Sequence, residues 1–247
     1  MNGPQTKITL EVCIASVDDA VSAVSGGADR LELNMGIELG GLTPSVGLMT
    51  AVKQAVDVPV LAMVRPRAAG FRYSPVDLRL MLKDAESLLA LGADGIVAGA
   101  LTEDGLIPID FWSELRNIAR GRELVFHRAI DATTDPSSVI EQLIELGTDR
   151  VLTSGGAASA WKGRDKISQL RELAANRIQI LPGCGITPKN AVEVLKSTGC
   201  RQLHGTFREW REDTAGIVCD GRYPATSQRL VAEVRAQLDA ISVSPTD

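Results

Sequence analysis

Short apolar runs alternate with helical patterns along the whole chain. Eight of these runs are rich in Val, Ile, Leu and Ala, which is typical of parallel strands that are buried on both faces. We therefore predict eight strands, at Ile8–Ile14, Arg30–Leu33, Val58–Val64, Gly95–Ala98, Leu124–Phe126, Arg150–Thr153, Arg177–Leu181 and Arg201–His204.

Turn and capping residues mark where the intervening helices begin and end. A capping residue followed by proline is typical of a helix start, and it occurs at Ser74-Pro75, Asp135-Pro136 and Thr187-Pro188. A glycine suited to a left-handed helix end, followed by an aspartate and an apolar strand, occurs at Gly27-Ala28-Asp29, Gly92-Ala93-Asp94 and Gly147-Thr148-Asp149. The repetition of this unit indicates one architecture.

Eight strands alternating with helices in 247 residues favour an α/β fold, the (β/α)8 TIM barrel, as a single domain over residues 1–247. We expect the first and eighth strands to pair and close the barrel. A doubly wound sheet is the alternative, but its usual Gly-rich dinucleotide fingerprint does not follow the first strand. The segment Gly205–Thr226 is long and mixed in charge, and its pattern predicts no particular structure.

Composition argues against several classes of protein. The net charge is −5 and the pI is about 5.2, so a nucleic-acid partner is not expected. No apolar run approaches the length of a membrane span, and the polar start of the chain lacks the apolar segment of a signal peptide. The cysteines are scattered, as in a reducing compartment, at Cys13, Cys184, Cys200 and Cys219. We expect a cytoplasmic protein.

Positive charge is concentrated at the ends of two predicted strands. Arg65 and Arg67 follow the third strand, and His127 and Arg128 follow the fifth. Since the carboxyl ends of barrel strands surround one site, we expect these side chains to bind a small anionic ligand, a phosphate or a carboxylate. His127 is a candidate catalytic residue that exchanges a proton near neutral pH. Asp131 is a second catalytic candidate, which could orient it.

Two carboxylates lie inside apolar strands. Glu11 shares one face of the first strand with Cys13, and Glu32 shares one face of the second with Asn34. Burial of an unpaired carboxylate is costly, so we predict that Glu11 and Glu32 point into the barrel mouth as catalytic candidates. A buried structural pair with an arginine is the alternative. A hard divalent ion held by Glu11, Glu32 and His127 is also conceivable.

Three further strand ends carry residues that suit an anionic ligand. Hydroxyl and N–H donors follow the sixth strand, and glycines follow the seventh, where TIM barrels habitually bind phosphate at the start of a helix. The candidate ligand-binding residues here are Thr153, Ser154, Gly155, Gly183, Gly185 and, at the end of the eighth strand, His204. No lysine lies at a strand end, which argues against a Schiff-base mechanism.

Specific motifs of one known family are spread over most of the chain. They are Leu10-Glu11-Val12-Cys13, Gly26-Gly27-Ala28-Asp29-Arg30-Leu31-Glu32-Leu33, Gly40-Gly41-Leu42-Thr43-Pro44-Ser45, Arg65-Pro66-Arg67, Phe71-Arg72-Tyr73-Ser74, Phe126-His127-Arg128-Ala129 with Asp131, Val151-Leu152-Thr153-Ser154-Gly155, and Asn190 after Pro182-Gly183. On these motifs the chain resembles the CutC family, the copper homeostasis proteins. The resemblance implies a TIM barrel, a cytoplasmic location and a homo-oligomer such as a dimer.

The resemblance also implies a role in copper homeostasis and the binding of Cu(I), with Cys13 as a metal ligand. Cu(I) prefers soft thiolates, but relatives commonly carry cysteine at position 34, where this chain has Asn34. No sequence motif brings two thiolates together. We therefore predict weak copper binding, or no defined site within one chain, although a pairing of Cys13 with Cys184 or Cys200 stays open.

Two functions follow from these residues. One is the copper role that the resemblance implies. The other is a TIM-barrel enzyme or binder that acts on a small phosphorylated or carboxylated metabolite through the strand-end Arg, His and Glu residues. A copper site should depend on the cysteines and an anion site on the arginines. Whether the protein is an enzyme is left open.

Overall fold

The strands form one parallel barrel. The computed structural model describes residues 7–215 and 221–241. Its parallel strands are β1 Thr9–Ile14, β2 Arg30–Leu33, β3 Val60–Met63, β4 Gly95–Ala98, β5 Glu123–Phe126, β6 Arg150–Thr153, β7 Gln179–Pro182 and β8 Gln202–Gly205. Their order is β7-β6-β5-β4-β3-β2-β1-β8, so the first and eighth strands pair, as predicted. The (β/α)8 fold class is confirmed.

Helices alternate with the strands in the described ranges. They are α1 Val17–Ser25, α2 Val46–Ala55, α3 Pro75–Ala90, α4 Ile109–Ile118, α5 Pro136–Glu145, α6 Arg164–Ala174, α7 Ala191–Thr198 and α8 Gln228–Asp239. Two short 3₁₀ helices, Ile37–Leu39 and Arg128–Ala132, lie in the loops that follow β2 and β5. None of the helices in this part of the chain is long and apolar enough to cross a bilayer.

The repeated Gly-x-Asp helix ends have a common structural cause. Gly27, Gly92 and Gly147 have φ values of 93°, 93° and 69°, in the left-handed region that glycine adopts without strain. The aspartate two residues later accepts a hydrogen bond from the N–H at the start of the preceding strand. The pairs are Asp29 with Leu10 at 2.8 Å, Asp94 with Val60 at 2.8 Å and Asp149 with Leu124 at 2.7 Å. Each unit therefore ties two neighbouring strands together.

Two of the three predicted helix starts are confirmed. Ser74 and Asp135 cap α3 and α5, each with proline at the next position. The third prediction is wrong, because α7 begins at Ala191 and not at Thr187. The residues between them form a turn, in which the Asn190 side chain accepts a hydrogen bond from the Thr187 N–H at 2.8 Å.

Apolar side chains fill two layers of the barrel. The larger layer lies between strands and helices and contains Trp112, whose ring packs edge-on against Phe126 with centroids 5.1 Å apart. Trp112 Nε1 donates to Thr148 Oγ1 at 2.8 Å, which satisfies its one polar group. The smaller layer lies inside the barrel and contains Leu61, Met63, Val97 and Val125. The interior below the mouth is thus packed with side chains.

The segment after β8 forms an antiparallel ribbon. β9 Arg208–Glu212 pairs with β10 Arg222–Thr226, and β10 leads into α8. Residues 216–220 of the connection lie outside the described ranges. Trp210 on β9 is 67% exposed, and the Arg222 guanidinium lies 5.8 Å from the centre of its ring. The stretch Gly205–Thr226, for which the sequence pattern predicts no structure, is therefore largely β structure where it is described.

Candidate functional site

The carboxyl ends of the strands surround a cavity of about 590 Å³. This is the end of the barrel where TIM-barrel proteins keep their sites. Its polar lining residues include Cys13, Glu32, Asn34, Arg65, His127, Arg128, Cys184, Thr187, His204, Thr206 and Arg208, and its apolar ones include Met63, Phe71, Leu152, Ile186 and Phe207. The volume lies within the usual range for small-molecule sites and far exceeds that of one metal ion.

A thiol, a carboxylate and an imidazole meet on one side of this cavity. Ligand atoms of Cys13, Glu32 and His204 lie within 4.8 Å of one another, and all three residues are buried. Strand register explains the meeting, because Cys13 and Glu32 are paired residues of β1 and β2. His204 lies on β8, the other neighbour of β1. We call these three residues the thiol-imidazole cluster.

A charged pair supports the cluster from below. His204 Nδ1 lies 2.8 Å from Glu11 Oε1, and the other oxygen of Glu11 accepts a hydrogen bond from Arg30 Nε. Arg30 also donates to Gln202 Oε1 at 3.0 Å. A carboxylate behind a histidine is how metal proteins commonly fix the orientation of the ring. Glu11, a predicted catalytic residue of the mouth, does not line the cavity and instead forms the buried arginine pair weighed as the alternative.

An amide contacts the other two members of the cluster. Asn34 Nδ2 donates to Cys13 Sγ at 3.3 Å and to Glu32 Oε1 at 2.9 Å. Within residues 7–215 and 221–241, Asn34 Oδ1 and Glu32 Oε2 are buried without a hydrogen-bond partner. Buried polar atoms without partners are costly and rare. Both residues line the cavity, so these two atoms are candidates for contact with a ligand.

Burial and charge set the protonation of these groups. Burial raises the pKa of Glu32 and of the Cys13 thiol. Burial alone would lower the pKa of His204, but Glu32, then Cys13 and Glu11, raise it well above its usual value. Burial also opposes ionisation of Glu11, yet Arg30 and then His204 hold its pKa well below its usual range. Glu11 and His204 therefore form an ion pair beneath the cavity.

Sequence comparison decides the family of the chain, because the family model for CutC matches residues 8–209. The chain belongs to the CutC family. A CutC family protein of Treponema denticola is 48% identical over 206 residues, which cover 83% of this chain and 84% of that protein. A human protein named copper homeostasis protein cutC homolog is 43% identical over 210 residues, covering 85% of this chain and 77% of that protein.

Solved structures agree with the family and the fold. A CutC protein from Streptococcus agalactiae superposes with a TM-score of 0.77 and 32% identity, covering 81% of this chain and 98% of that chain. Thiamine phosphate pyrophosphorylase from Pyrococcus furiosus superposes with a TM-score of 0.60, covering 94% of this chain and 96% of that chain. Its identity is 16%, so this second likeness shows the barrel fold alone.

The two arginines of the CutC motif after β3 point in different directions. Arg65 is buried and donates to three loop carbonyls, those of Leu39 at 3.1 Å, Gly41 at 2.9 Å and Ala69 at 2.7 Å. Arg67 turns outward, donates to the Arg72 carbonyl at 2.6 Å and lies 4.9 Å from the centre of the Tyr73 ring. β3 ends at Met63, so the alternation of a strand does not reach either arginine. Arg67 does not line the cavity, and no two-arginine clamp forms.

His127 is buried at the end of β5 as a neutral imidazole. Its Nδ1 accepts a hydrogen bond from the Ala129 N–H at 3.1 Å, so its proton is on Nε2, which has no partner. Burial, and then the charge of Arg65, lower the pKa of His127 to about 3. The structure therefore shows a neutral hydrogen-bond donor where proton exchange near neutral pH was expected. Gly99 leaves room for the ring, since a Cβ there would lie 2.5 Å from it.

Asp131 contacts the loop after β6 and not His127. Its carboxylate accepts hydrogen bonds from Thr153 Oγ1 at 2.6 Å and from the N–H groups of Ser154 at 3.0 Å and Gly156 at 3.0 Å. Arg128 Nε donates to it at 2.9 Å, and the Gly155 N–H donates to Thr153 Oγ1 at 2.9 Å. The donors of this loop, which we expected to bind a ligand, are occupied within the chain itself, by the Asp131 carboxylate and by Thr153 Oγ1.

The two glycines after β7 shape the cavity wall. Gly183 donates its N–H to the Thr153 carbonyl at 3.0 Å, and a Cβ at this position would lie 2.5 Å from Leu152. Gly185 lines the cavity with a φ of 70°. Because α7 begins only at Ala191, this loop does not present the helix start at which a phosphate was expected.

The four cysteines differ in their relation to the cluster. Cys184 lines the same cavity as Cys13. Cys200 precedes β8 at its amino end, whereas Cys13 lies toward the carboxyl end of β1. A shared site of Cys13 and Cys200 is therefore excluded. Cys219, and the first six residues on which the prediction of no signal peptide rests, lie outside the described residues.

The residues predicted for one site fall into three groups. Cys13, Glu32 and His204 form the cluster, although the sequence analysis gave them three separate roles. Arg65, Arg128, His127 and Gly185 line the same cavity. The remaining candidates support this lining from behind or face away, as do Glu11, Arg67, Asp131, Thr153, Ser154, Gly155 and Gly183. The predicted pairing of strands one and eight was a signal for the meeting of Cys13 and His204, and the further pairing of strands one and two adds Glu32.

Proposed function

We propose that this protein acts in copper homeostasis and binds copper through Cys13, Glu32 and His204. The observation that carries the proposal is the meeting of three buried ligand atoms within 4.8 Å of one another. Membership of the CutC family supports it, since the human relative is named a copper homeostasis protein.

The donor set fits a copper ion. Thiolate and imidazole groups are ligands that suit copper, and Glu32 adds a carboxylate oxygen that has no hydrogen-bond partner among the described residues. Glu11 holds the ring of His204 from behind, and Asn34 donates a hydrogen bond to the sulfur of Cys13. The site thus uses one thiol and one imidazole, so it does not need a second cysteine at position 34. A mixed set of ligands therefore favours a defined copper site, whereas the positions of the cysteines alone predict weak copper binding.

A competition titration against a chromogenic Cu(I) chelator tests the proposal. The variants are Cys13→Ser and His204→Gln, and the matched control is Cys200→Ser, which removes a buried thiol at the other end of the barrel. Loss of an outer-shell partner costs about 10–100-fold in metal affinity. We expect the two cluster variants to lose more than this and Cys200→Ser to bind copper like the unmodified protein.

The result that would overturn the proposal is equal copper affinity in all of these proteins. Circular dichroism of each variant is needed alongside, since a cluster variant that has lost the barrel fold would lose copper for another reason. Should Cys13→Ser fail to fold, Glu32→Gln keeps the shape of the third ligand and tests the same site.

A further inference from the structure

Arg65 is a buried cation without a carboxylate partner. It is 4% exposed, its Nη atoms donate only to backbone carbonyls, and its Nε is buried without a partner. The other arginines of the cavity wall differ, because Arg128 contacts Asp131 and Arg208 contacts Asp19. Within the described ranges, Arg65 forms no ion pair with Asp or Glu. A buried charge is normally paired, so the counter-charge is expected to come from a ligand.

His127 supplies a second free donor to the same cavity. Its Nε2–H is buried and has no acceptor, and the hydrogen bond from Ala129 to Nδ1 fixes which nitrogen carries the proton. Phe71 lies against both groups, with its ring centre 5.3 Å from the Arg65 guanidinium carbon and 4.9 Å from the centre of the His127 ring. One aromatic side chain therefore brings a free cationic donor and a free neutral donor to one part of the wall.

We infer that the part of the cavity lined by Arg65, His127 and Phe71 binds the carboxylate group of a small organic acid. A single guanidinium and a neutral N–H match one negative charge. This goes beyond copper binding, because none of these three residues belongs to the thiol-imidazole cluster.

The structure favours a carboxylate over a phosphate. A phosphate dianion needs more positive charge and more donors than Arg65 and His127 provide. The N–H groups of Ser154 and Gly156 in the loop after β6 are not available to a phosphate, because the Asp131 carboxylate already accepts hydrogen bonds from them. No helix begins beside the Gly183–Gly185 loop to add further ones.

The rest of the cavity indicates that the acid has an apolar body. Besides the two donors, apolar side chains line the same cavity, namely Met63, Leu152, Ile186 and Phe207. Burial of each CH₂ group on such a wall stabilises a complex by about 0.8 kcal/mol, which is about fourfold in affinity. We therefore expect affinity to rise along a series of acids of increasing chain length until the volume of about 590 Å³ is filled.

Calorimetric titration of the chelator-treated protein tests this inference independently of copper. The probes are sodium acetate, propanoate, butanoate and benzoate, with inorganic phosphate and sodium chloride for comparison. We expect the carboxylates to bind in order of apolar surface and more tightly than phosphate. Arg65→Met should weaken butanoate binding by roughly 10–100-fold, since a charged hydrogen bond is lost. His127→Phe keeps an aromatic ring but loses the N–H donor, and it should weaken butanoate binding by a smaller factor than Arg65→Met does.

Arg67→Met is the matched control, because Arg67 lies two residues away and faces solvent. It should bind butanoate as the unmodified protein does. The inference would be overturned if both Arg65→Met and His127→Phe bound butanoate as tightly as the unmodified protein. It would also be overturned if phosphate bound more tightly than the carboxylates. If Arg65→Met does not fold, His127→Phe decides the matter alone. Failure of the carboxylate titration would leave the copper proposal standing, since the two experiments use different residues.

Discussion

The two ends of the barrel use charge in opposite ways. At the amino end, an arginine, a glutamate and a glutamine from three neighbouring strands bond to one another, and this happens twice. One set is Arg30 with Glu11 and Gln202, and the other is Arg150 with Glu123 at 2.7 Å and Gln179 at 3.0 Å. Gln202 Nε2 also contacts Gln179 Oε1 at 3.4 Å, so the two sets meet.

At the carboxyl end, buried polar groups lack such partners. In the part of the chain that the structure describes, Glu32 Oε2, Asn34 Oδ1, Arg65 Nε and His127 Nε2 are all buried without a hydrogen bond, and all four residues line the cavity. In TIM barrels the amino face serves stability and the carboxyl face serves function. Here the contrast can be seen in individual groups, because the two Arg-Glu-Gln sets at the amino end bond to one another, whereas each of these four cavity residues keeps one unpartnered atom within the described ranges.

Removal of an arginine from each end should give the largest difference. Arg30→Met removes one of the two cations that contact the buried Glu11 carboxylate, the other being His204. It should lower the free energy of unfolding by about 3 kcal/mol, the low end for a broken buried pair. Arg65→Met leaves no carboxylate unpaired and should cost clearly less, and Arg67→Met, at an exposed site, should stay within about 0.5 kcal/mol. Urea unfolding of the three variants measures this. Equal losses for Arg30→Met and Arg65→Met would remove the distinction between the ends.

The second prediction concerns acid and His127. Its pKa is about 3 in the fold against 6.5 in the unfolded chain, so below pH 6.5 the unfolded state takes up a proton that the fold excludes. His127 should therefore lower stability as the pH falls from 6.5 toward 3, by up to about 1.4 kcal/mol per pH unit. Unfolding of the unmodified protein and of His127→Phe across this range isolates the effect. Arg65, Arg128 and Asp131 also act on this ring, but they are present in both proteins. Parallel pH curves would contradict the prediction.

Two glutamates that both partner a buried arginine should differ in their effect on copper. Glu11→Gln weakens the support of His204 and should lower Cu(I) affinity by about 10–100-fold. Glu123→Gln removes the partner of Arg150 on the other side of the barrel and should leave the affinity unchanged. The chelator competition measures both. A comparable loss in Glu123→Gln would mean that general destabilisation, and not the support of His204, controls copper binding.

The smallest effect is expected at the Gly-x-Asp helix ends. Asp94→Asn keeps an oxygen for the Val60 N–H but loses the ion pair with Lys53, whose Nζ lies 2.7 Å away. Partly exposed ion pairs contribute up to about 1 kcal/mol, so the loss should stay below that. Asp94→Ala removes the hydrogen bond as well and should cost more. If the two substitutions cost the same by urea unfolding, the backbone hydrogen bond is not what the aspartate contributes.

Local patterns were sufficient to predict the barrel. Each strand needs only its own apolar run, and each helix end needs only a glycine such as Gly92 followed by an aspartate such as Asp94. The ribbon of β9 and β10 was missed because Trp210 and its neighbours lie largely in solvent, so their pattern carries no burial signal. The prediction of a helix start at Thr187-Pro188 was wrong because the turn there, which the Asn190 side chain stabilises, uses the same residue types as a helix start.

The site needed information that is not local. Arg65 and Arg67 look alike in sequence, but β3 ends before both, and only one turns inward. The protonation of His127 depends on its burial and on the charge of Arg65, which lies 62 positions earlier in the sequence. Asp131 has the residue type of a catalytic group, yet its oxygens are taken by a loop that follows another strand. Cys13, Glu32 and His204 become one site only through the register of three strands.

The order of the strands begins at β7 and ends at β8, and among the described residues no backbone ladder joins these two. A side chain spans the join instead, with Gln202 Nε2 donating to the Ile180 carbonyl at 3.3 Å. Amide protons along this seam should therefore exchange with solvent through small local openings, at a lower free energy than those of the other strands. His204 sits on β8. The strand that carries one copper-binding candidate thus lies on the seam where local opening is expected to need the least free energy.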